Sequence, residues 1–387
     1  MTGCGGTAAT IDSDIIQQDQ PSNHSSEHHA DQNKQKPIHK KQPEKKQAKK
    51  TKPTPKETHH DKSKKAQKQQ KPKEPKPAYR PIQPPGDAKP LKTLYSKKVL
   101  KNMPTEEAHG ENPKRTVPLG QTLLQGKKDL TNGPLKKYRL VTFYGTPKSS
   151  RMGVLGQYPP DEMMKKLKEQ TAAYSKIDPE HPAVPTIELI ATVAQRSPGP
   201  DGNYVMKTSE DTIKRYAKLA KENHALLLLD VQLGRASVMH GVKAVAPFLK
   251  LPYVHLAIDT EYSVGKGEVP GEDLGHVDGS EIQKAIEYVN QLVEKNHLPD
   301  KVVVIHQFGN SIIPHKNLIK PTKHVEVALN FDGFGLAAPK MAAYGKMVRK
   351  QPIQYGGFKL FYDLDKPLLS PKQVLKLDPA PAIINYE

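Results

Sequence analysis

The chain has no tryptophan and a single cysteine, Cys4. One thiol excludes a disulfide within the chain, and with it the small folds stapled by several bridges. Hydrophobic residues make up 35%, where about 45–50%, glycine included, is usual for a wholly globular chain. No stretch stays apolar for the roughly 20 residues that a membrane-spanning helix needs. Phenylalanine is missing before Phe143, and all seven lie from there onward. Acidic residues are outnumbered, 41 against 60 Lys and Arg, for a net charge of +19. Residues 31–80 alone hold 18 basic and 5 acidic residues, so the averages describe two different polymers joined end to end.

The first polymer, residues 1–80, is built from Gln, Lys, His, Pro, Ser and Asn with scarcely a large apolar side chain. Such a segment cannot bury enough surface to offset chain entropy. Runs such as Lys71-Pro72-Lys73-Glu74-Pro75 favour extended, mutually repelling conformations, and the segment reads as a disordered tether. Residues 81–137 mix apolar side chains (Leu91, Leu94, Tyr95, Val99, Leu100) with many Pro and Gly and read as an irregular connection. The tract has almost no Arg and no aromatic before Tyr79. Nucleic acid is therefore disfavoured as a partner, and an anionic membrane or wall polymer is expected to take up the basic charge by counterion release. Thr2-Gly3-Cys4 resembles the end of a bacterial lipoprotein signal, although the apolar stretch that precedes such a cysteine is not in the sequence. The resemblance implies a lipid on Cys4 and a place on the outer face of a bacterial membrane or cell wall. One lipid group with a polybasic segment would hold the chain there.

From Tyr138 short apolar runs recur, each followed by a helical pattern. They are 139–144, 186–193, 225–230, 253–259, 301–306, 324–330, 357–362 and 381–386. Their β-branching and near-continuous hydrophobicity suit parallel strands buried on both faces. Helix starts are marked by Asp161-Glu162 after two prolines, by a capping-box pattern over Thr208–Asp211 and by Asp278-Gly-Ser-Glu281. Val238–Leu249, Leu336–Val348 and Pro371–Leu377 fill three more gaps, and the fifth, Ile312–Ile319, has room for a short helix. Eight alternating units in about 250 residues predict a (β/α)8 TIM barrel over 138–387, of class α/β. A doubly wound open sheet is the alternative, weakened by the lack of a Gly-x-Gly-x-x-Gly after the first strand.

In such barrels the chemistry lies where strands end. That position is occupied by Tyr144, Gln195-Arg196, Asp230 with Gln232, Asp259 with Glu261 and Tyr262, His306 with Gln307, Asn330 with Asp332, Tyr362-Asp363 and Tyr386-Glu387. Any one of these reads equally well as a helix cap, but a ring of them points to a polar ligand, a glycan or another small polar molecule. Asp259 and Glu261 lie two apart on strand four and so share a face. Two close carboxyls raise one pKa, which keeps a proton available for a leaving group. Arg235 reads as a partner for these carboxylates or a grip for an anion, and equally as a loop residue. The Gly-rich loop 263–271 lacks the P-loop pattern. No cofactor motif and no His-x-His or His-Glu-x-x-His spacing is present, so no cofactor and no metal ligand is assigned, and a monomer is expected.

The Asp259-x-Glu261 pair resembles that of glycoside hydrolase families 18 and 25. The resemblance implies Glu261 as general acid and Asp259 as its partner, assisting the substrate's own N-acetyl group, with Asp332 and Tyr362 or Tyr386 orienting the sugar. Family 18 has a further Asp where this chain has Ala257, and family 25 has one near Tyr144-Gly145. The segments Leu229–Arg235, Val254–Glu261, Val304–Phe308 and Asn330–Phe334 also resemble a family of bacterial lipoprotein-type barrels, which implies the fold and surface location and leaves the reaction open. Three functions follow as expectations: a glycosidase-like enzyme, a glycan-binding or scaffold lipoprotein, and a metal-dependent hydrolase drawing on Asp230, Asp259, Glu261, His306 and Asp332.

Overall fold

Eight short runs with no polar face have to be covered on both sides, and a closed parallel barrel does this. In a computed structural model, which describes residues 130–387 apart from 137, 350, 352 and 353, the runs form that barrel. The readings of the tether 1–80, of Cys4 and of most of 81–137 lie outside the described residues.

The barrel strands are β1 (Arg139–Gly145), β2 (Ala183–Ala194), β4 (Leu226–Gly234), β5 (Val254–Ser263), β6 (Lys301–Gln307), β7 (Val325–Phe331), β8 (Tyr355–Leu360) and β9 (Ile383–Tyr386). All eight pair in parallel, and β1 closes the ring by pairing with both β2 and β9. A ninth strand, β3 (Val205–Lys207), adds to the far end of β2 in antiparallel fashion. The open-sheet alternative is excluded by this closure.

The helices are α1 (Pro160–Ile177), α2 (Glu210–Glu222), α3 (Val238–Leu249), α4 (Gly279–Asn296), α5 (Ala337–Tyr344) and α6 (Pro371–Val374). Their starts follow from local chemistry. Ser209 caps α2 by accepting from the Thr212 amide at 3.3 Å, and Asp278 caps α4 by accepting from the Ser280 amide at 2.8 Å. Thr208, one residue before the first of these caps, turns its hydroxyl to the Ile190 carbonyl instead. The fifth connection holds two 3-10 turns, Asn310–Ile312 and Lys316–Leu318, rather than a helix. Among the described residues no helix is long and apolar enough to cross a membrane.

Strand alternation sorts each run into two sets. Val141, Ile187, Leu229, Ile258, Ile305, Leu329, Phe358 and Ile384 point outward and pack with helix residues such as Leu167, Ile213, Val242 and Ile286. Leu140, Val184, Leu228, Ala257, Val304, Ala328, Tyr355 and Ile383 point inward and fill the lower barrel around Leu135. Each such large side chain contributes about 1.5–3 kcal/mol on burial. Leu135 plugs the base from a short turn, Pro134–Lys136, whose Leu135 amide donates to buried Glu326 at 2.9 Å. The inward set changes from aliphatic to ionisable toward the strands' C-terminal ends, and this change positions the site.

Candidate active site

Every barrel strand sends at least one polar side chain into the upper barrel. In order they are Tyr144, Glu188, Asp230 with Gln232, Asp259 with Glu261, His306, Asn330 with Asp332, Lys359, and Asn385 with Glu387. These groups are wired together. Tyr144 donates to Asp230 Oδ2 at 3.2 Å and accepts from Gln232 Nε2 at 3.3 Å. Gln232 Nε2 also lies 3.4 Å from Asp259 Oδ2, and Asp259 Oδ1 accepts from the Glu261 amide at 2.9 Å. His306 bridges two carboxylates, with Nδ1 2.7 Å from Asp332 Oδ2 and Nε2 2.7 Å from Glu188 Oε1. Asn385 donates to the other oxygen of Glu188, and Asn330 donates to Asp332 Oδ1 at 2.6 Å. Gly357 permits this crowding: a Cβ there would stand 2.2 Å from Asn330 Oδ1.

Among the described residues, six carboxyls thus share the upper barrel with one lysine and one histidine. Lys359 Nζ lies 2.7 Å from Glu387 and 3.4 Å from Asp332, and 3.7 Å above the centre of the Tyr144 ring. Burial by itself would lower Lys359, but the carboxylates of Glu387 and Asp332 outweigh it and hold the ammonium charged. His306 follows the same logic: burial opposes its charge, and Asp332 and Glu188 raise its pKa well above the ordinary value. Asp332 is lowered, because the charges of His306 and Lys359 overcome the effect of burial. Among the described residues, Asp230, Asp259 and Glu261 have no cation at contact distance, whereas Glu188 meets His306 and Glu387 meets Lys359. Burial first, then the charge of Asp259, raises Asp230. Burial also raises Asp259. Glu261 rises to about 8, through burial and then the neighbouring Asp259. Unlike Asp230 and Asp259, Glu261 keeps some contact with solvent at the rim.

The sequence-derived set divides in two. Tyr144, Asp230, Gln232, Asp259, Glu261, His306 and Asp332 come together in the upper barrel. Tyr262 adjoins them, its phenol raised by burial and by Glu261. Tyr386, Tyr362, Gln307 and Arg235 do not join. Tyr386 is an outward residue packed under α1, its hydroxyl 2.7 Å from that of Tyr174 and accepting from Gln170 at 3.1 Å. Tyr362 stacks on it at 5.3 Å. Gln307 also points outward, donating to the Met347 carbonyl and accepting from Lys316. Arg235 neither pairs with Asp259 nor with Glu261: it donates to the Glu268 carbonyl and lies 4.0 Å over the Tyr204 ring, tying down the loop that follows β5. On the second strand Gln195 follows the end of β2 and bonds back to the Val193 and Ala194 carbonyls. Glu188, Lys359 and Asn385 supply what those positions were expected to give.

No family model matches the sequence, and no curated protein matches it. Among solved structures, a GH18 chitinase from Pseudoalteromonas aurantia is similar at 10% identity with a TM-score of 0.32, over 64% of this chain and 93% of that one. At that level the likeness bears on neither chemistry nor substrate, and the fold rests on the closed eight-stranded sheet itself.

Proposed function

We propose that this protein is a glycosidase-like barrel in which Glu261 acts as general acid on a wall or extracellular glycan. One observation carries the reading: Asp259 and Glu261 stand side by side in the upper barrel, with Glu261 at the rim in partial contact with solvent, and burial followed by the charge of Asp259 pushes the Glu261 carboxyl up to about 8. A general acid works best when its pKa lies near the working pH. Glu261 would pass its proton to the glycosidic oxygen as the bond from that oxygen to the sugar's anomeric carbon breaks, leaving a carboxylate. Asp259, fixed by the Glu261 amide and by Gln232, would stabilise the positive charge that develops on the sugar. Tyr262 and Tyr144 offer the phenol edges, in a chain without tryptophan. The basic tether and Cys4 support a place at the outer face of a bacterial membrane or wall, with anionic polymer as a second partner.

A non-catalytic glycan-binding lipoprotein is favoured by a different observation: Asp259 is 6% exposed and both its oxygens are already hydrogen-bonded. One experiment separates the two. The full chain is incubated with peptidoglycan and with oligosaccharides of 2-acetamido sugars, and new reducing ends are counted. Cleavage that drops at least 100-fold in Glu261→Gln, with binding retained, supports the enzyme. Binding without cleavage by the unaltered protein supports the binder, and the absence of both refutes each reading.

A further inference from the structure

Part of the upper barrel has no task in acid catalysis at Glu261. Glu188 on β2, Asp230 on β4 and His306 on β6 are all buried, and each brings one potential ligand atom within 4.8 Å of the others. Asp230 sits level with Ala257, two residues deeper in the barrel than Asp259.

The outer atoms of all three are held by neighbours. His306 Nδ1 is paired with Asp332 at 2.7 Å, Glu188 Oε2 accepts from Asn385, and Asp230 Oδ2 accepts from Tyr144 at 3.2 Å. What remains is His306 Nε2 against Glu188 Oε1 at 2.7 Å, and Asp230 Oδ1, which is fully buried without a hydrogen-bond partner. Two more buried acceptors without a partner, Asn385 Oδ1 and Asn330 Oδ1, belong to the side chains that brace Glu188 and Asp332. A buried carboxylate oxygen left unmet costs about 1–3 kcal/mol or more. Asp230 Oδ1, Asn385 Oδ1 and Asn330 Oδ1 are buried acceptors without a donor, and an ion entering beside Asp230 would displace the proton shared by His306 Nε2 and Glu188 Oε1.

We propose that Glu188, Asp230 and His306 form a binding site for one divalent first-row transition ion of the Mn2+ or Zn2+ type. One imidazole and two carboxylates match these ions better than Ca2+ or Mg2+, which take oxygen alone. The Asp332–His306 pair is the carboxylate–histidine arrangement that orients a metal-bound imidazole, and Asn385 and Tyr144 orient the two carboxylates in the same way. Ligand atoms about 2.0–2.2 Å from an ion stand about 3 Å apart in an octahedral site and about 3.4 Å apart in a tetrahedral one, so the Nε2–Oε1 pair at 2.7 Å has about 0.3–0.7 Å to open. The site is independent of the glycosidase reading, since ion binding is measured without any sugar.

The full chain is stripped with a chelator and dialysed. It is then titrated calorimetrically with MnCl2 or ZnCl2 alone, and bound metal is counted by mass spectrometry. One barrel-bound ion per chain is expected. Asp230→Asn and His306→Gln are expected to weaken it at least tenfold. Asp332→Asn, which keeps all three ligands and removes the carboxylate that braces His306, is expected to weaken it 10- to 100-fold. Ions held by the histidines of the N-terminal tract persist in every variant and so cancel in the comparison. Circular dichroism checks folding, and Glu188→Gln replaces any variant that does not fold. Failure of the unaltered protein to hold either ion, or equal binding by protein and folded variants, overturns the proposal.

Discussion

Replacing Lys359 with methionine tests whether the crowded upper barrel depends on its one buried lysine. The ammonium is 6% exposed, contacts Glu387 at 2.7 Å and Asp332 at 3.4 Å, and caps the Tyr144 ring at 3.7 Å. Methionine has nearly the same length and fills irregular gaps, so the packing loss is small. The electrostatic loss is not. Removing one partner of a buried pair costs about 3–5 kcal/mol, because the other charge stays behind. Two features place Lys359→Met at the lower end: Asp332 keeps His306 as a partner, and Glu387 is 23% exposed. The expectation is about 3 kcal/mol at pH 7, which for a barrel of this size lowers Tm by about 6–12 °C. The pH dependence carries a sign. Asp332 is held below its ordinary pKa by His306 and Lys359 against the effect of burial. A depressed carboxyl stabilises the fold above its unfolded pKa, and that contribution is lost as pH falls through the folded value. The deficit of Lys359→Met is therefore full at pH 7 and shrinks below about pH 4. Urea unfolding at pH 7 and at a series of pH values below 4 measures both the full deficit and its decline. A deficit under about 1 kcal/mol, as for an exposed pair, or one unchanged with pH, would refute the reasoning.

Two further outcomes follow from the same wiring. Burial and then Asp259 raise Glu261 from 4.5 to about 8; a raised carboxyl stabilises the fold fully below the unfolded value, and this is lost as pH climbs to the folded one. Between those values the unaltered protein should lose stability relative to Glu261→Gln, and a difference that stays flat across urea titrations in that range counts against the shift. Tyr386→Phe removes a hydroxyl bonded to Tyr174 and Gln170 on the outer layer. It should cost about 0.5–1.5 kcal/mol in urea unfolding while leaving glycan affinity as it was, and a loss of affinity would place Tyr386 in the site after all.

The barrel is legible because its strands carry their signal within each run. Apolar side chains on both faces of Leu226–Asp230 or Lys301–His306 leave few alternatives to a covered parallel sheet, and the observed strands begin and end within a few residues of the runs. The site is legible where an apolar run ends on an ionisable residue at the rim, as at Asp259 and His306, and hidden where it does not. Strand β2 shifts register between Ile190 and Thr192 and continues beyond the rim to pair with β3, so Gln195 marks the end of the strand while Glu188 marks the mouth. On β8 the run extends by sequence to Tyr362, yet the strand stops at Leu360 and the inward residue is Lys359. The useful signal was a lone charge inside an apolar run, Glu188 in 186–193 and Lys359 in 357–362. Burying such a charge is tolerable only against a partner, which makes it a better pointer than the last polar residue. Tyr386 fails by period alone: Asn385 and Glu387 share the inward face, so the residue between them points out.

Everything proposed for the sugar chemistry turns on the proton at Glu261. Infrared difference spectroscopy follows it directly, as the carbonyl band of a protonated carboxyl present in the unaltered protein and missing in Glu261→Gln, titrated from pH 4 to pH 10. That band is expected to persist at pH 7 and to vanish with a midpoint near 8. A midpoint near 4.5, the ordinary value for glutamate, would contradict it.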